Sequence, residues 1–334
     1  MSADRISCAE EKIAAFEYDA AESLFREYLT EMPEDDAVWA KLGRLLRKTG
    51  DLTGSMDAFG TAFDLKPENP GYAENLGEAL ISLHSFEEAD SLFKKAEEND
   101  NRAYPKIRQC DILFFRGKTA EAEAKAESLL RQYPDDPEIR HRLFLIYEDE
   151  GKSSKADDAL KQECVLRKSL AEKTSGALEW LLYGRACLQK KAYADAVSAA
   201  EKSLSLEKGP DACLLLGEAH GKAGEISAAK KAFSDAVSCE PKNLSLLLET
   251  ADIMTELSLY DEAVSLYTKA LELRNIRADT WSSLAYALLK LGKKEEAKAF
   301  FEMAKASAAV RELKWPDKLH KSEKTRALDE AFKT

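Results

Sequence analysis

Small and large apolar residues return along the chain with a period of 34 residues. Windows opening at residues 2, 36, 70, 103, 137, 177, 210, 244 and 278 align them. Position 20 of these windows holds Ala21, Ser55, Ala89, Ala122, Ala156, Ala196, Ala229, Ala263 and Ala297. Position 24 holds Phe25, Phe59, Phe93, Phe233, Tyr267 and Phe301, with Ala126, Leu160 and Ala200 as departures. Position 8 holds Gly43, Gly77, Gly184 and Gly217 among good helix formers, although Gly inside a helix costs about 1 kcal/mol relative to Ala. A missing side chain lets two helices approach, so positions 8 and 20 predict a first helix packed on a second within each window. Large residues at positions 4, 11 and 24 then fill the space around that contact. Pro33, Pro67, Pro134 and Pro241 at position 32 end the second helix, because Pro lacks an amide hydrogen and clashes with the preceding turn. Each window reads as a helical hairpin that buries its apolar face only against its neighbours.

All four tryptophans mark one phase: Trp39, Trp180, Trp281 and Trp315 stand at position 4 of windows opening at 36, 177, 278 and 312. Trp39-x2-Leu42-Gly43-x2-Leu46 is followed by Gly50, Phe59, Ala62 and Pro67. This resembles the tetratricopeptide repeat, whose signature is W-x2-LG-x2-Y, then A-x3-F, then P. The resemblance implies an all-α fold, an α-solenoid of tandem helix-turn-helix repeats forming a right-handed superhelix with a concave groove. Two windows break the pattern. The first helix of the fourth reads better from 104, which places Ile107, Cys110 and Phe114 on its core face and leaves its register open. The fifth has Arg140 at position 4, Glu163 at 27 and Lys168 at 32, and six further residues (AEKTSG) follow it. The expected organisation is five repeats over 2–170, a short insertion or hinge at 171–176, four repeats over 177–311, and a C-terminal capping segment or tail over 312–334. Trp315 fits such a cap, although Pro316 breaks the usual helix.

Charge narrows the partners. The 334 residues carry 61 acidic and 49 basic side chains, a net charge of −12, and residues 1–100 alone hold 23 acidic against 10 basic. Neutralising phosphates needs clustered Lys and Arg, so nucleic acid is not expected as a partner. The first ten residues, MSADRISCAE, lack a basic stretch followed by an apolar one. No apolar run approaches the ~18 residues of a membrane span. The expectation is a soluble, cytoplasmic protein that engages no membrane. Its six cysteines form no CxxC pair and read as buried thiols.

Catalytic motifs dissolve into the repeat. Ser91-x2-Lys94 and Lys48-Thr49-Gly50 match two boxes of serine acyl-transferases, but in reversed order, with Gly50 at a helix end. Cys213 and His220 lie about 10 Å apart along one helix at ~1.5 Å per residue, too far to share a zinc ion bound at ~2.0–2.3 Å. No phosphate loop, nucleophile elbow or HExxH run is present. The reading is therefore no enzyme, no cofactor and no metal.

Tetratricopeptide proteins typically bind peptides or helices in the groove, with positions 2, 5, 9, 12 and 13 facing the ligand. Carried onto this chain, the resemblance points to Arg44 and Lys48 in the second repeat, Glu78 in the third and His141 in the fifth. Further along it points to Arg185, Glu218, Asp252 and Tyr286. Solvation alone also puts such residues on exposed helix faces. Co-chaperones of the family hold acidic tails through a five-residue carboxylate clamp. Asn75 and Arg108 match it, whereas Ala40, Arg44 and Tyr104 replace the other three groups. The function expected is a non-enzymatic scaffold or adaptor for a protein or peptide ligand. The alternatives are a co-chaperone or assembly factor for an acidic C-terminal tail, and a self-associating structural repeat protein. The oligomeric state stays open.

Overall fold

The computed structural model describes residues 2–99, 102–273, 278–310 and 323–332. Among these residues nineteen α-helices follow one another and no strand occurs. The first repeat pairs α1 (Ser2–Ala14) with α2 (Tyr18–Glu31), the second α3 (Asp36–Lys48) with α4 (Leu52–Leu65), and the third α5 (Pro70–Ser82) with α6 (Phe86–Asn99). The fourth is α7 (Tyr104–Phe115) and α8 (Thr119–Gln132), the fifth α9 (Pro137–Asp149) and α10 (Ser153–Thr174), the sixth α11 (Ala177–Gln189) and α12 (Tyr193–Leu206). The last three are α13 (Pro210–Lys222) with α14 (Ile226–Cys239), α15 (Leu244–Glu256) with α16 (Tyr260–Leu273), and α17 (Ala278–Lys290) with α18 (Lys294–Val310). One more helix, α19 (Glu323–Ala331), follows them. The fold is an all-α solenoid of helix-turn-helix repeats, divided into two compact units, residues 1–208 and 209–334. Trp315 and Pro316 lie outside the described residues.

Each hairpin is set by three local devices. Asp35, Asn69, Asp136 and Asn243, all at position 34, accept hydrogen bonds from amides in the first turn of the next helix, which satisfies donors the helix cannot. Position 15 is left-handed in all nine repeats: Gly50, Gly117, Gly151, Gly224 and Gly292, but also Phe16, His84, Lys191 and Ser258. The amide after it closes a six-residue turn, as in Asp51 N donating to Leu46 O at 2.8 Å, the pattern that ends a helix and releases the chain into the next. Finally, the ring at position 24 occupies the space a position 8 side chain would take. A Cβ on Gly43, Gly77 or Gly217 would lie 2.8, 2.2 or 2.6 Å from the nearest ring atom of Phe59, Phe93 or Phe233. That contact offsets the helix cost of the glycines. Ser55, the one departure at position 20, donates its hydroxyl to Gly43 O at 2.8 Å and so stays buried without an orphaned polar group.

The fourth repeat keeps the phase that opens at 103. Its first helix starts a residue late, yet Pro105, Ile107, Gln109, Cys110 and Ile112 are buried at positions 3, 5, 7, 8 and 10. Those positions are also buried in α3 as Val38, Ala40, Leu42, Gly43 and Leu45. Cys110 stands where other repeats have Gly, and its Sγ donates to Ala122 O at 3.3 Å.

The fifth repeat compensates for its departures. Trp39 at position 4 donates its indole N–H to Pro33 O at 2.8 Å. Arg140, which replaces Trp there, donates Nη2 to Pro134 O at the same 2.8 Å. Six residues after Leu170 are absorbed locally: α10 runs to Thr174, Ser175 turns left-handed at φ 53°, and Gly176 precedes α11.

Candidate functional site

At two junctions between repeats, position 9 of one first helix meets position 6 of the next. In the third and fourth repeats this brings Glu78 to Arg108; in the fourth and fifth it brings Asp111 to Arg142. Glu78 accepts the Arg108 guanidinium and the Tyr104 hydroxyl, the latter at 2.5 Å. Arg108 Nη1 donates to Asp111 Oδ2 at 2.5 Å, and Arg142 Nε to Asp111 Oδ1 at 2.6 Å. Arg142 continues to Glu138 at 3.3 Å, Glu138 accepts Arg167 Nη2 at 2.8 Å, and Arg167 Nε donates to Glu163 at 2.6 Å. His141 Nδ1 lies 3.1 Å from the other Glu163 oxygen. One connected set of charges thus spans three repeats.

Burial makes this set sensitive. The side chains of Asp111, Glu163 and Arg167 are only 8, 2 and 5% exposed. Burial pushes the Asp111 carboxyl above the ordinary carboxylate range in spite of Arg142 and Arg108. At Glu138 burial acts in the same sense, but Arg167 and Arg142 outweigh it and hold the carboxyl below its usual value. Burial and Glu78 raise the Tyr104 hydroxyl, which stays a donor.

Beside the charges, between α7 and α9, lies a cavity of about 230 Å³. Phe114, Phe115, Leu145 and Ile146 form its apolar wall, and Arg108, Asp111, Arg142 and Cys110 its polar side. Phe115 is 51% exposed, with one face stacked on Phe86 at 6.2 Å between centroids. Arg108 Nε is buried and has no hydrogen-bond partner among the described residues. Burial pushes the Cys110 thiol up to about 12, so it is no nucleophile near neutral pH.

The ten residues singled out from the sequence fall into separate groups. Glu78 and Arg108 meet in the charge set, and His141 reaches it through Glu163. Arg44 and Arg185 are exposed. Lys48 sits 5.8 Å over the Tyr18 ring, Asn75 donates back to Gly71 O at 2.7 Å, and Glu218 pairs with Lys222 at 2.6 Å. Asp252 accepts the Tyr267 hydroxyl at 2.7 Å and Lys324 Nζ at 2.5 Å, and Tyr286 carries Lys290 over its ring at 5.2 Å. Four of the five clamp positions are engaged internally: Ala40 is buried, Asn75 bonds its own helix, and Tyr104 and Arg108 both hold Glu78, while Arg44 is exposed. Asp111, Arg142, Glu138, Arg167 and Phe115 escaped the sequence reading, whereas Phe114, expected on the core face, does pack there at the edge of the cavity. The signal for the first two was a spacing of 30 or 31 residues between an acid at position 9 and an arginine at position 6.

Family models described as Tetratricopeptide repeat match residues 9–70, 40–105 and 214–279, and a second such model matches 256–314. Together they cover more than half of the sequence. The chain belongs to the tetratricopeptide repeat family. Among solved structures, this tetratricopeptide chain is similar to the MamA protein at 18% identity and a TM-score of 0.36, over 52% of this chain and 93% of MamA. It is also similar to yeast Tom70 at 15% identity and a TM-score of 0.38, over 92% of this chain and 69% of Tom70. Among the described residues no group of three or more His, Cys, Asp or Glu side chains is arranged for a metal ion. α13 runs unbroken between Cys213 and His220. No described helix is long and apolar enough to cross a membrane. Cys110, Cys164, Cys187 and Cys213 are buried free thiols, while Cys8 and Cys239 are half-buried.

Proposed function

We propose that the protein is a non-catalytic scaffold that holds a protein segment across the first helices of its fourth and fifth repeats. The cavity between α7 and α9 carries this reading. At about 230 Å³ it falls short of the roughly 300–1,000 Å³ of small-molecule sites, and it suits one apolar side chain of a larger ligand. Arg108 Nε beside it offers a buried donor to a backbone carbonyl of that ligand. An acidic tail would first have to displace Glu78 and Asp111 from Arg108. The anchor therefore favours an apolar residue in an extended or helical segment over a terminal carboxylate.

The test is affinity capture from lysate with mass spectrometry, comparing the intact chain with Phe115→Ala/Leu145→Asp and with Lys161→Glu, an exposed second-helix control. Partners kept by the intact chain and the control, but lost from the cavity variant, are the expected result. A partner set indifferent to the cavity variant would remove the reading.

A further inference from the structure

The C-terminal helix supplies a second, independent site. α19 lies against α17, the first helix of the ninth repeat. Leu328 is fully buried with Ala285 and Phe301, and Tyr286, Leu289, Phe300 and Phe332 pack around that cluster. The Phe332 and Phe301 rings are 6.0 Å apart. One turn before Leu328, Lys324 Nζ reaches Asp252 Oδ1 on α15 at 2.5 Å and Ser283 Oγ on α17 at 3.4 Å. Lys324 and Leu328 on α19 and Phe332, in the turn just after it, are spaced i, i+4, i+8, so one stripe makes these contacts. Arg326 and Glu330 are exposed.

Two physical points separate α19 from the repeats before it. It has nine residues, fewer than the ~12–15 that an isolated helix needs to hold together in water, so its docking is what keeps it helical. Its docking includes one fully buried side chain, Leu328, the ring contact of Phe332 with Phe301, and an ion pair whose acceptor, Asp252, remains 47% exposed. Asp252 and Tyr286, both at position 9 of their repeats, are groove residues in the family pattern.

We infer that the first-helix face of the eighth and ninth repeats is a binding site for a short amphipathic helix bearing Lys, Leu and Phe at i, i+4 and i+8, and that α19 fills it in cis. Asp252 selects the basic residue, and the surface of Ala285, Tyr286, Leu289 and Phe301 takes the two apolar ones. A partner helix of that pattern competes with α19, whose tether gives it a high effective concentration. This inference does not rest on the cavity between α7 and α9.

A fluorescein-labelled peptide of residues 322–334 tests it by anisotropy, titrated with the intact chain and with full-length chains carrying Leu328→Asp or Lys324→Asp. The unseated chains are expected to bind the peptide at least tenfold more tightly than the intact chain. Adding Asp252→Lys to the Leu328→Asp chain should cost tenfold or more, and a Lys324→Asp peptide should recover it. A helical alanine-based peptide carrying only the Lys, Leu and Phe should compete for the site. Equal binding to all chains, no binding to the unseated ones, or no recovery on charge exchange would overturn the site. Failure of the alanine-based peptide would overturn the partner class. Circular dichroism showing loss of helix beyond α19 in both unseated chains would make α19 a structural cap and overturn its role as ligand. Phe115→Ala should leave every one of these readouts unchanged, which keeps this result separate from that of the cavity.

Discussion

The left-handed residue at position 15 is the smallest device in the fold and the easiest to improve. A non-glycine residue there brings its Cβ close to the following carbonyl, at a cost of roughly 1–2 kcal/mol. Lys191 adopts φ 61° and is exposed, so Lys191→Gly removes that strain with little lost packing. Gly also widens the unfolded ensemble by about 0.4–1 kcal/mol, which leaves a net gain of about 0.5–1 kcal/mol. Urea denaturation of the two chains reads it, and a lower midpoint for the Gly variant would contradict it. Asp36 sets a pH response at the same scale. Its carboxylate receives Lys66 Nζ at 2.7 Å and the Tyr72 hydroxyl at 2.6 Å, which hold it below the ordinary range. A depressed folded-state value adds stability above the unfolded value of about 3.9, and that stability is lost as pH falls through the folded one. Asp36→Asn should therefore destabilise at pH 7 by about 1–2 kcal/mol and flatten the acid limb. Unfolding free energies between pH 7 and pH 2.5 that run parallel for both chains would contradict this.

At the scale of elements, the fifth repeat shows what a departure from the pattern hides. Glu163 stands at position 27, where Ala62 and Ala304 occupy the same place in other repeats. It is buried because Arg167, one turn later, accompanies it. A buried ion pair adds little over an apolar pair of equal size, but leaving one member alone costs about 3–5 kcal/mol. Arg167→Met should thus lower stability by that amount, and Arg167→Met/Glu163→Leu should recover most of it. Equal losses in the single and double variants would mean that shape, not charge, governs the position. The hairpins themselves were legible because position 8 and position 24 touch within one window, so a single repeat displays both partners. The position 34 caps were equally open to sequence, in Asp35, Asn69, Asp136 and Asn243, with Pro70 and Pro137 beginning the helices after two of them. The charge set was not, because Glu78 to Arg108 and Asp111 to Arg142 are contacts between windows. Nothing within one helix tells an arginine that pairs from one that is solvated. The cavity is harder still, since it depends on what does not reach the space beside Phe114 and Phe115.

For the whole molecule, the consequence of a 34-residue period is locality. Among the described residues, substantial helix contacts join sequence neighbours, first helices of adjacent repeats such as α7 with α9 and α15 with α17, and α19 with α17. Stability in such an array is a sum of repeat and nearest-neighbour terms, without a single core to share a loss. Gly77→Ala puts this to use. Its Cβ would fall 2.2 Å from Phe93 Cζ, a separation that forces the ring or the helix to move, and overpacking of this kind costs about 1–3 kcal/mol. The lower part of that range applies, because buried Ala251 and Ala285 stand at the same position in the eighth and ninth repeats, whose position 24 rings are Tyr267 and Phe301. Hydrogen exchange should then quicken in α3 to α8, the altered repeat and its two neighbours, while α13 to α18 keep their protection. If exchange quickens equally in both compact units, the chain opens as one cooperative body and the additive description fails.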